Sequence, residues 1–421
     1  MPTGSDYITP EQLCVGLYVH LDLGWMDHPF VFSSFKIKNQ DQIAIIRKLG
    51  LAKIRFEQGK SDCRPLAVPA VPEVVAETPP DAASVAAMEA KKARVAQLKH
   101  IKNEISRVEY EFVRAADMVR NITRNIHARP QEAFAQTDIL VGKMVQSILD
   151  EGDVLIHAMN DKLGDDMYFH SLNVTVLSLM LANALHLDGA EMHELGMGAM
   201  LHDIGKSEVP HRILAKSEPL TRPEQAVLEQ HCEFGVAFAK KVGLSDSALA
   251  IILQHHEYMD GSGYPHKLQG DQIAPLARLL VIVNTYDNLC NPANPALGLT
   301  PAEALSRMFA LRRAQFDDTM LRAFIHCLGV YPPGSIVQLS NGMFGLVLTG
   351  NAANPLKPDV LIYDADIPKD EAIVISLVTE PDLKISKSLR ASELSREMFE
   401  YLSPRARVTY YFDPQKKTNA A

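Results

Sequence analysis

The 421-residue chain has one tryptophan, five cysteines with no Cys-x-x-Cys pair, and fewer basic than acidic side chains, 42 against 51. Each shortage removes a class of protein. A formal charge of −9 leaves no broad positive field for a nucleic-acid polymer, so an anionic small ligand would need a local positive pocket. Cys14, Cys63, Cys232, Cys290 and Cys327 are scattered and odd in number, as expected of reduced thiols in a cytosol. The opening residues, Met1-Pro2-Thr3-Gly4-Ser5-Asp6, lack a basic region and an apolar core, so no signal peptide is expected. No apolar run reaches membrane-spanning length. The expectation is a soluble cytoplasmic protein. Its 47% hydrophobic and 22% charged composition is ordinary for globular chains, and its length suits two or three domains.

Five stretches differ in character. Residues 1–63 read as a small α/β domain, with strands over Val15–Leu23, Phe30–Ile37 and Ala52–Phe56, a helix over Gln40–Leu49, and Trp25 as a core anchor. Residues 64–86 are a Pro/Ala-rich linker. Residues 87–130 form one long helix in which Leu98, Ile101, Ile105, Val108, Phe112, Ala115, Val119, Ile122 and Ile126 keep a heptad stripe. That stripe is either the seam of a homodimer or a face packed on the chain's own bundle. Residues 131–330 read as consecutive helices, including Val174–Leu187, Ala190–Leu201, Pro223–Val242, Ser247–His256 and Ala274–Leu289. Residues 331–421 return to β character, with a hairpin through Asn341-Gly342, strands Val360–Tyr363, Ala372–Val378 and Val408–Phe412, and a helix Ala391–Leu402. The fold class is therefore mainly α: a helical bundle between a small α/β domain and a small β-rich cap.

The chemistry concentrates in the bundle. His202-Asp203-Ile204-Gly205-Lys206 closes one apolar segment, and His255-His256-Glu257 closes another before the turn Asp260-Gly261-Ser262-Gly263-Tyr264-Pro265. His231 lies between the two clusters, and His170 opens an earlier apolar helix. Imidazoles in a core are disfavoured without partners, and five of them with one aspartate need a shared reason. Nitrogen and oxygen donors of this type suit divalent transition metals. A metal centre is that reason.

These motifs, continued by Pro210, Ile213-Leu214, Lys216, Gly235, Leu268, Gly270 and Ile273, closely resemble the HD-GYP family of HD phosphohydrolases across about residues 145–330. The first 63 residues resemble the domain of unknown function that often precedes such domains. The resemblance implies an all-helical HD-type bundle that hydrolyses cyclic di-GMP, through linear pGpG to GMP. It implies metal ligands at His170, His202, Asp203, His231, His255, His256 and Asn284, holding two divalent ions, with iron or manganese foremost. Asp203 is the implied bridging and catalytic residue. Lys206 is the implied charge stabiliser at the phosphate, and Gly261, Gly263, Tyr264, Pro265 and Arg278 are implied at the substrate.

Three departures stand out. The family's Asp-x-x-Asp pair reads Asn284-Thr285-Tyr286-Asp287, which leaves Asn284 or Asp287 to complete the site. The following arginine-rich stretch reads Asn291-Pro292-Ala293-Asn294-Pro295, so phosphate must meet Lys206, Arg278 or another cation. A third metal would need a glutamate where this chain has Asp166 beside Asp165, so two ions are expected. The opposing functional expectation is a degenerate module that binds cyclic di-GMP or a signalling partner, such as a diguanylate cyclase, without turnover. Hydrolysis of other nucleotides is the third.

Overall fold

The computed structural model describes residues 6–23, 27–30, 32–67, 82–151, 156–158, 166–216, 218–292, 294, 297–350, 354–365, 367–369, 372–403 and 410–412. Trp25, Asp165, Ala293, Pro295 and most of the Pro/Ala-rich linker lie outside it, as do the side chains of Asp166, Leu98, Ile101, Ile105 and Val108. The chain divides into two compact units.

In the N-terminal unit, β1 (Asp6–Ile8), β2 (Tyr18–His20), β3 (Ser34–Lys36) and β4 (Ile54–Phe56) form an antiparallel sheet in the order β1-β4-β2-β3. Helix α1 (Gln40–Lys48) lies between β3 and β4 in sequence, and the Asn39 side chain caps its start by accepting from Gln42 N. Leu17, Val19, Ile37, Ile46 and Ile54 are fully buried and form the core. The expected strands are all present but pair over only three residues each, while β1 had no alternation long enough to announce it.

The second unit is the helical bundle. Helix α2 (Ala82–Asn125) enters it, followed by α3 (Pro130–Glu151), a short β5 (Ile156–Ala158), α4 (Asp166–Ala184) and α5 (Gly189–Leu201). Next come α6 (His211–Leu214), α7 (Arg222–Glu229), α8 (His231–Val242), α9 (Asp246–Gln254), α10 (Pro275–Cys290), α11 (Pro301–Leu311) and α12 (Asp318–Leu328). The helix expected over 223–242 is two helices. Its ladder is interrupted at Gln230, where the His231 ring donates from Nδ1 to the Leu228 carbonyl at 2.6 Å. Of the heptad stripe, Phe112, Ala115, Val119, Ile122 and Ile126 are buried in the unit's own core, and Phe112 stacks on Phe169 of α4 with centroids 5.5 Å apart. That half of the stripe packs within the chain.

Beyond the bundle, β6 (Ile336–Leu339) and β7 (Phe344–Thr349) pair as the expected hairpin, with Gly342 at φ +86° in the left-handed region. β8 (Asp359–Ile362) adds to β7. β9 (Ile373–Ser376) follows, and β10 (Ile385–Leu389) adds to β6. The last helix, α13 (Arg396–Leu402), starts later than expected because Ser395 caps it after a separate turn over Ala391–Glu393. β11 (Tyr410–Phe412) pairs with β5, a connection invisible to local patterning. Among the described residues, no helix is long and apolar enough to cross a membrane.

Candidate metal centre

Four helix ends deliver the site. α5 stops at Leu201, so His202 caps its end and Asp203 follows, opening a tight 3-10 turn, Ile204–Glu208, that carries the chain away. α8 begins at His231, α9 ends directly before His255 and His256, and α4 contributes His170 from its second turn. Glycine makes the approach between the first two segments possible. A side chain at Gly205 would run into the His231 carbonyl and the Gly235 amide, so no other residue lets the Asp203 turn lie against α8. His202, Asp203, His231 and His255 are all buried.

The donor atoms fall into two sets that share one carboxylate. His170, His202 and Asp203 form one set, and Asp203, His231, His255 and His256 form the other. Asp203 Oδ2 lies 3.4 Å from His202 Nε2 and 3.7 Å from His170 Nε2, while Oδ1 lies 3.5 Å from His231 Nε2 and 3.7 Å from His255 Nε2. Each oxygen therefore faces one pair of rings.

Hydrogen bonds at the far side of each ring set its tautomer. His202 donates from Nδ1 to the Ala199 carbonyl at 2.7 Å, and His255 likewise donates to the Ile252 carbonyl at 2.7 Å. His231 uses the Leu228 carbonyl, and His170 donates to Asp287 Oδ2 at 2.6 Å. The protonated nitrogens thus point outward, and the Nε2 lone pairs point inward. They converge closely: His170 and His202 Nε2 are 3.2 Å apart, and His231 and His255 Nε2 are 3.1 Å apart.

Protonation does not relieve the crowding of His231 and His255 at neutral pH. Burial pushes His255 down to about 3, His256 well below the ordinary imidazole value, and His231 down despite the opposing pull of Asp203. Burial also works against charge on Asp203, but Lys206 and His202 outweigh it and hold the carboxyl well below the usual range. Asp203 Oδ1 is buried without a hydrogen-bond partner. Inward lone pairs, an ionised carboxylate and an orphaned oxygen, all acceptors, are what divalent cations require. The residues would suit divalent metal ions, with Asp203 common to both donor sets.

The remaining expected residues divide by surroundings. Lys206 Nζ lies 2.6 Å from Asp203 Oδ2 and is partly exposed. Tyr264 stacks on His256, with centroids 4.5 Å apart and planes at 25°. Its turn is fastened by Glu257, whose buried carboxylate accepts from His266 N at 2.6 Å and Leu268 N at 3.0 Å. A side chain at Gly263 would run into the His256 carbonyl and the Tyr258 amide, and Gly261 has φ +76°, so both glycines are demanded by the turn itself. Pro265 lies in the same turn, joined to Tyr264 by a cis bond.

The Arg278 guanidinium is engaged structurally. It donates to the Ile273 carbonyl at 2.8 Å and pairs with Asp271 at 3.0 Å, with Asp317 4.0 Å away. Asn284 is buried, and its Oδ1 accepts from Asn288 at 2.9 Å. Asp287 accepts from His170 through Oδ2, and through Oδ1 from Asn173 and from Asn291 at 2.9 Å. Asn173 and Glu257 were not singled out from sequence. Glu257 belongs to the His-His-Glu motif and was within reach of that reading, whereas Asn173 carries no local signal.

The chain is similar to known HD-domain proteins. Residues 143–320 match the HD domain family, and residues 7–137 match a domain of unknown function, DUF3391. The cyclic di-GMP phosphodiesterase PA4108 of Pseudomonas aeruginosa is 30% identical over 361 residues, covering 85% of this chain and 84% of that protein. Cyclic di-GMP phosphodiesterase PdeB of Borreliella burgdorferi is 24% identical, covering 53% of this chain and 60% of its own. The 3'3'-cGAMP-specific phosphodiesterase 2 of Vibrio cholerae is 36% identical over 122 residues, 28% of this chain and 23% of that one. The chain belongs to the HD-GYP family of HD-domain phosphohydrolases, with DUF3391 ahead of its HD domain.

Proposed function

We propose that the protein is a metal-dependent phosphodiesterase that opens cyclic di-GMP to linear pGpG and carries it on to GMP. One observation carries this reading: two donor sets of HD-GYP type share the single carboxylate of Asp203. His170, His202 and Asp203 would hold one ion, and Asp203, His231, His255 and His256 the other. Asn284 is proposed as a neutral oxygen donor, on the family pattern alone. Divalent ions held there would supply Lewis acidity toward phosphoryl oxygens and a nucleophilic water at neutral pH. Iron or manganese is the proposed metal. A third ion would depend on Asp166, whose side chain lies outside the described residues.

The chain's own residues then supply the rest. Asp203 keeps its carboxylate ionised, so it presents charge to both halves of the site without competing for a proton. Lys206, at the partly exposed rim, neutralises charge that grows on the phosphate as the new P–O bond forms and the ester P–O bond breaks. Tyr264, held against His256 by the glycine turn, offers a ring face at the entrance, with Gly261, Gly263 and Pro265 shaping that wall. Arg278 is proposed to brace the start of α10, since its guanidinium is already paired.

The domain division proposed is 1–63, 64–86, 87–130, 131–330 and 331–421, with catalysis confined to the fourth. Dimerisation through the first half of the α2 stripe is proposed as well. A diguanylate cyclase is the proposed signalling partner, because its product is this site's substrate. Metal-loaded protein incubated separately with cyclic di-GMP and 3'3'-cGAMP, followed by product chromatography, tests the assignment. Release of pGpG and GMP from cyclic di-GMP is expected. Binding of intact cyclic di-GMP without products would overturn the enzymatic reading.

A further inference from the structure

Cys14 and Cys63 are 49 positions apart, yet their sulfur atoms lie 2.9 Å from each other in the N-terminal unit. Both side chains are partly exposed. The backbone holds them there independently of the thiols. Asp62 N donates to the Gly16 carbonyl at 2.8 Å, and Leu66 N donates to the Gln12 carbonyl at 2.9 Å, one rung on either side of the pair. Gly16 turns the chain between them at φ +99°, a conformation glycine adopts without strain. The thiols also make single hydrogen bonds to neighbouring carbonyls, Cys63 to Val15 at 3.3 Å and Cys14 to Arg64 at 3.4 Å.

We infer that Cys14 and Cys63 form a reversible dithiol–disulfide site, oxidised by low-molecular-weight disulfides. In that reaction the S–S bond of the oxidant breaks and the Cys14–Cys63 bond forms. The two protein sulfurs lose two electrons and their two protons, and the oxidant leaves as two thiols. The other three cysteines are not poised this way: Cys232 and Cys290 are buried, and no second cysteine stands against Cys327 among the described residues. The bond would pin Arg64–Leu66, the segment leaving the sheet, to Gln12–Cys14. Burial and the neighbouring Cys63 thiol push the Cys14 thiol up to about 11, which slows exchange and makes an equilibrium measurement the proper test.

The experiment uses the full chain, reduced and then equilibrated in oxidised glutathione under native conditions. Free thiols are counted in denaturant, and tryptic peptides are mapped with and without reductant. The expected result is a fall from five thiols to three and a peptide cross-linked through Cys14 and Cys63, restored to five by dithiothreitol. Cys14→Ser should yield a glutathione adduct on Cys63 and no cross-link. Separate adducts on both cysteines of the wild type would overturn the inference. So would a cross-link that forms only in denaturant, or one that persists in Cys14→Ser through another partner. None of these readouts depends on phosphodiesterase activity, so the inference stands or falls apart from that assignment.

Discussion

Asp287 Oδ2 accepts the Nδ1 proton of His170 at 2.6 Å, and its other oxygen accepts from Asn173 and Asn291. With both oxygens accepting hydrogen bonds, Asp287 is placed to orient the His170 ring. Loss of such a partner typically costs a metal site about 10–100-fold in affinity or activity. Asp287→Ala should therefore weaken the ion held by His170, His202 and Asp203 by that factor, and leave the other ion in place. Metal stoichiometry by mass spectrometry would fall from two toward one per chain. Simultaneous loss of both ions would show that Asp287 does more than orient His170.

Asn284 supplies the complementary test. A carboxylate there would add charge close to Asp287, which is one helical turn on and fully engaged. Asn284→Asp is expected to tighten metal binding by a factor of about 10 or more, the scale on which such partners act. Calorimetric titration with manganese measures it. Unchanged affinity would remove Asn284 from the ligand set.

Asp203 is shared, so its loss should be felt twice. The His202→Ala/Asp203→Ala protein should keep its helical circular dichroism, bind neither ion and leave cyclic di-GMP uncleaved. Cleavage surviving in that variant would end the enzyme assignment.

The lowered histidines set a pH dependence for the metal-free protein. His255 titrates near 3 in the fold and near 6.5 when unfolded, so between those values the unfolded chain binds a proton that the native chain does not. Stability is complete above about 6.5 and falls on acidification, by about 1.4 kcal/mol per pH unit from this one group. Burial lowers His256 and His231 in the same direction. Urea midpoints of chelator-treated protein should drop accordingly, and His255→Gln should show a slope shallower by one proton. A slope unchanged by that substitution would place the acid sensitivity elsewhere.

The gathering of these histidines around Asp203 was legible because each lies near the end or start of an apolar helix, where an imidazole needs a partner. Their partition into two sets was not, because it depends on which Asp203 oxygen faces which ring. Arg278 looked available from sequence, and only the folded chain brings Asp271 and Asp317 against it. The break at Gln230 was hidden for a similar reason. The residues are good helix formers, and the interruption comes with a side chain, His231, turned back onto Leu228. Gly205 and Gly263 looked like turn residues. Their stricter requirement, the contact with His231 and with the 256–258 backbone, exists only in three dimensions.

The α2 stripe gives the last prediction. Its second half, Phe112 to Ile126, is core of the helical unit, so a charge there must be buried without a partner. Val119→Glu should destabilise the monomer by about 3 kcal/mol or more, on the scale of an unpaired charge in a core. The proposed dimer seam concerns the first half, and Ile105→Glu/Val108→Glu tests it. If the seam is intermolecular, that double variant converts a dimer to a monomer in light scattering while the thermal midpoint of the helical unit at limiting dilution stays unchanged. Should the wild type itself scatter as a monomer at high concentration, the heptad pattern of the first half has no intermolecular role. Should the double variant unfold as readily as Val119→Glu, the first half packs on its own chain like the second.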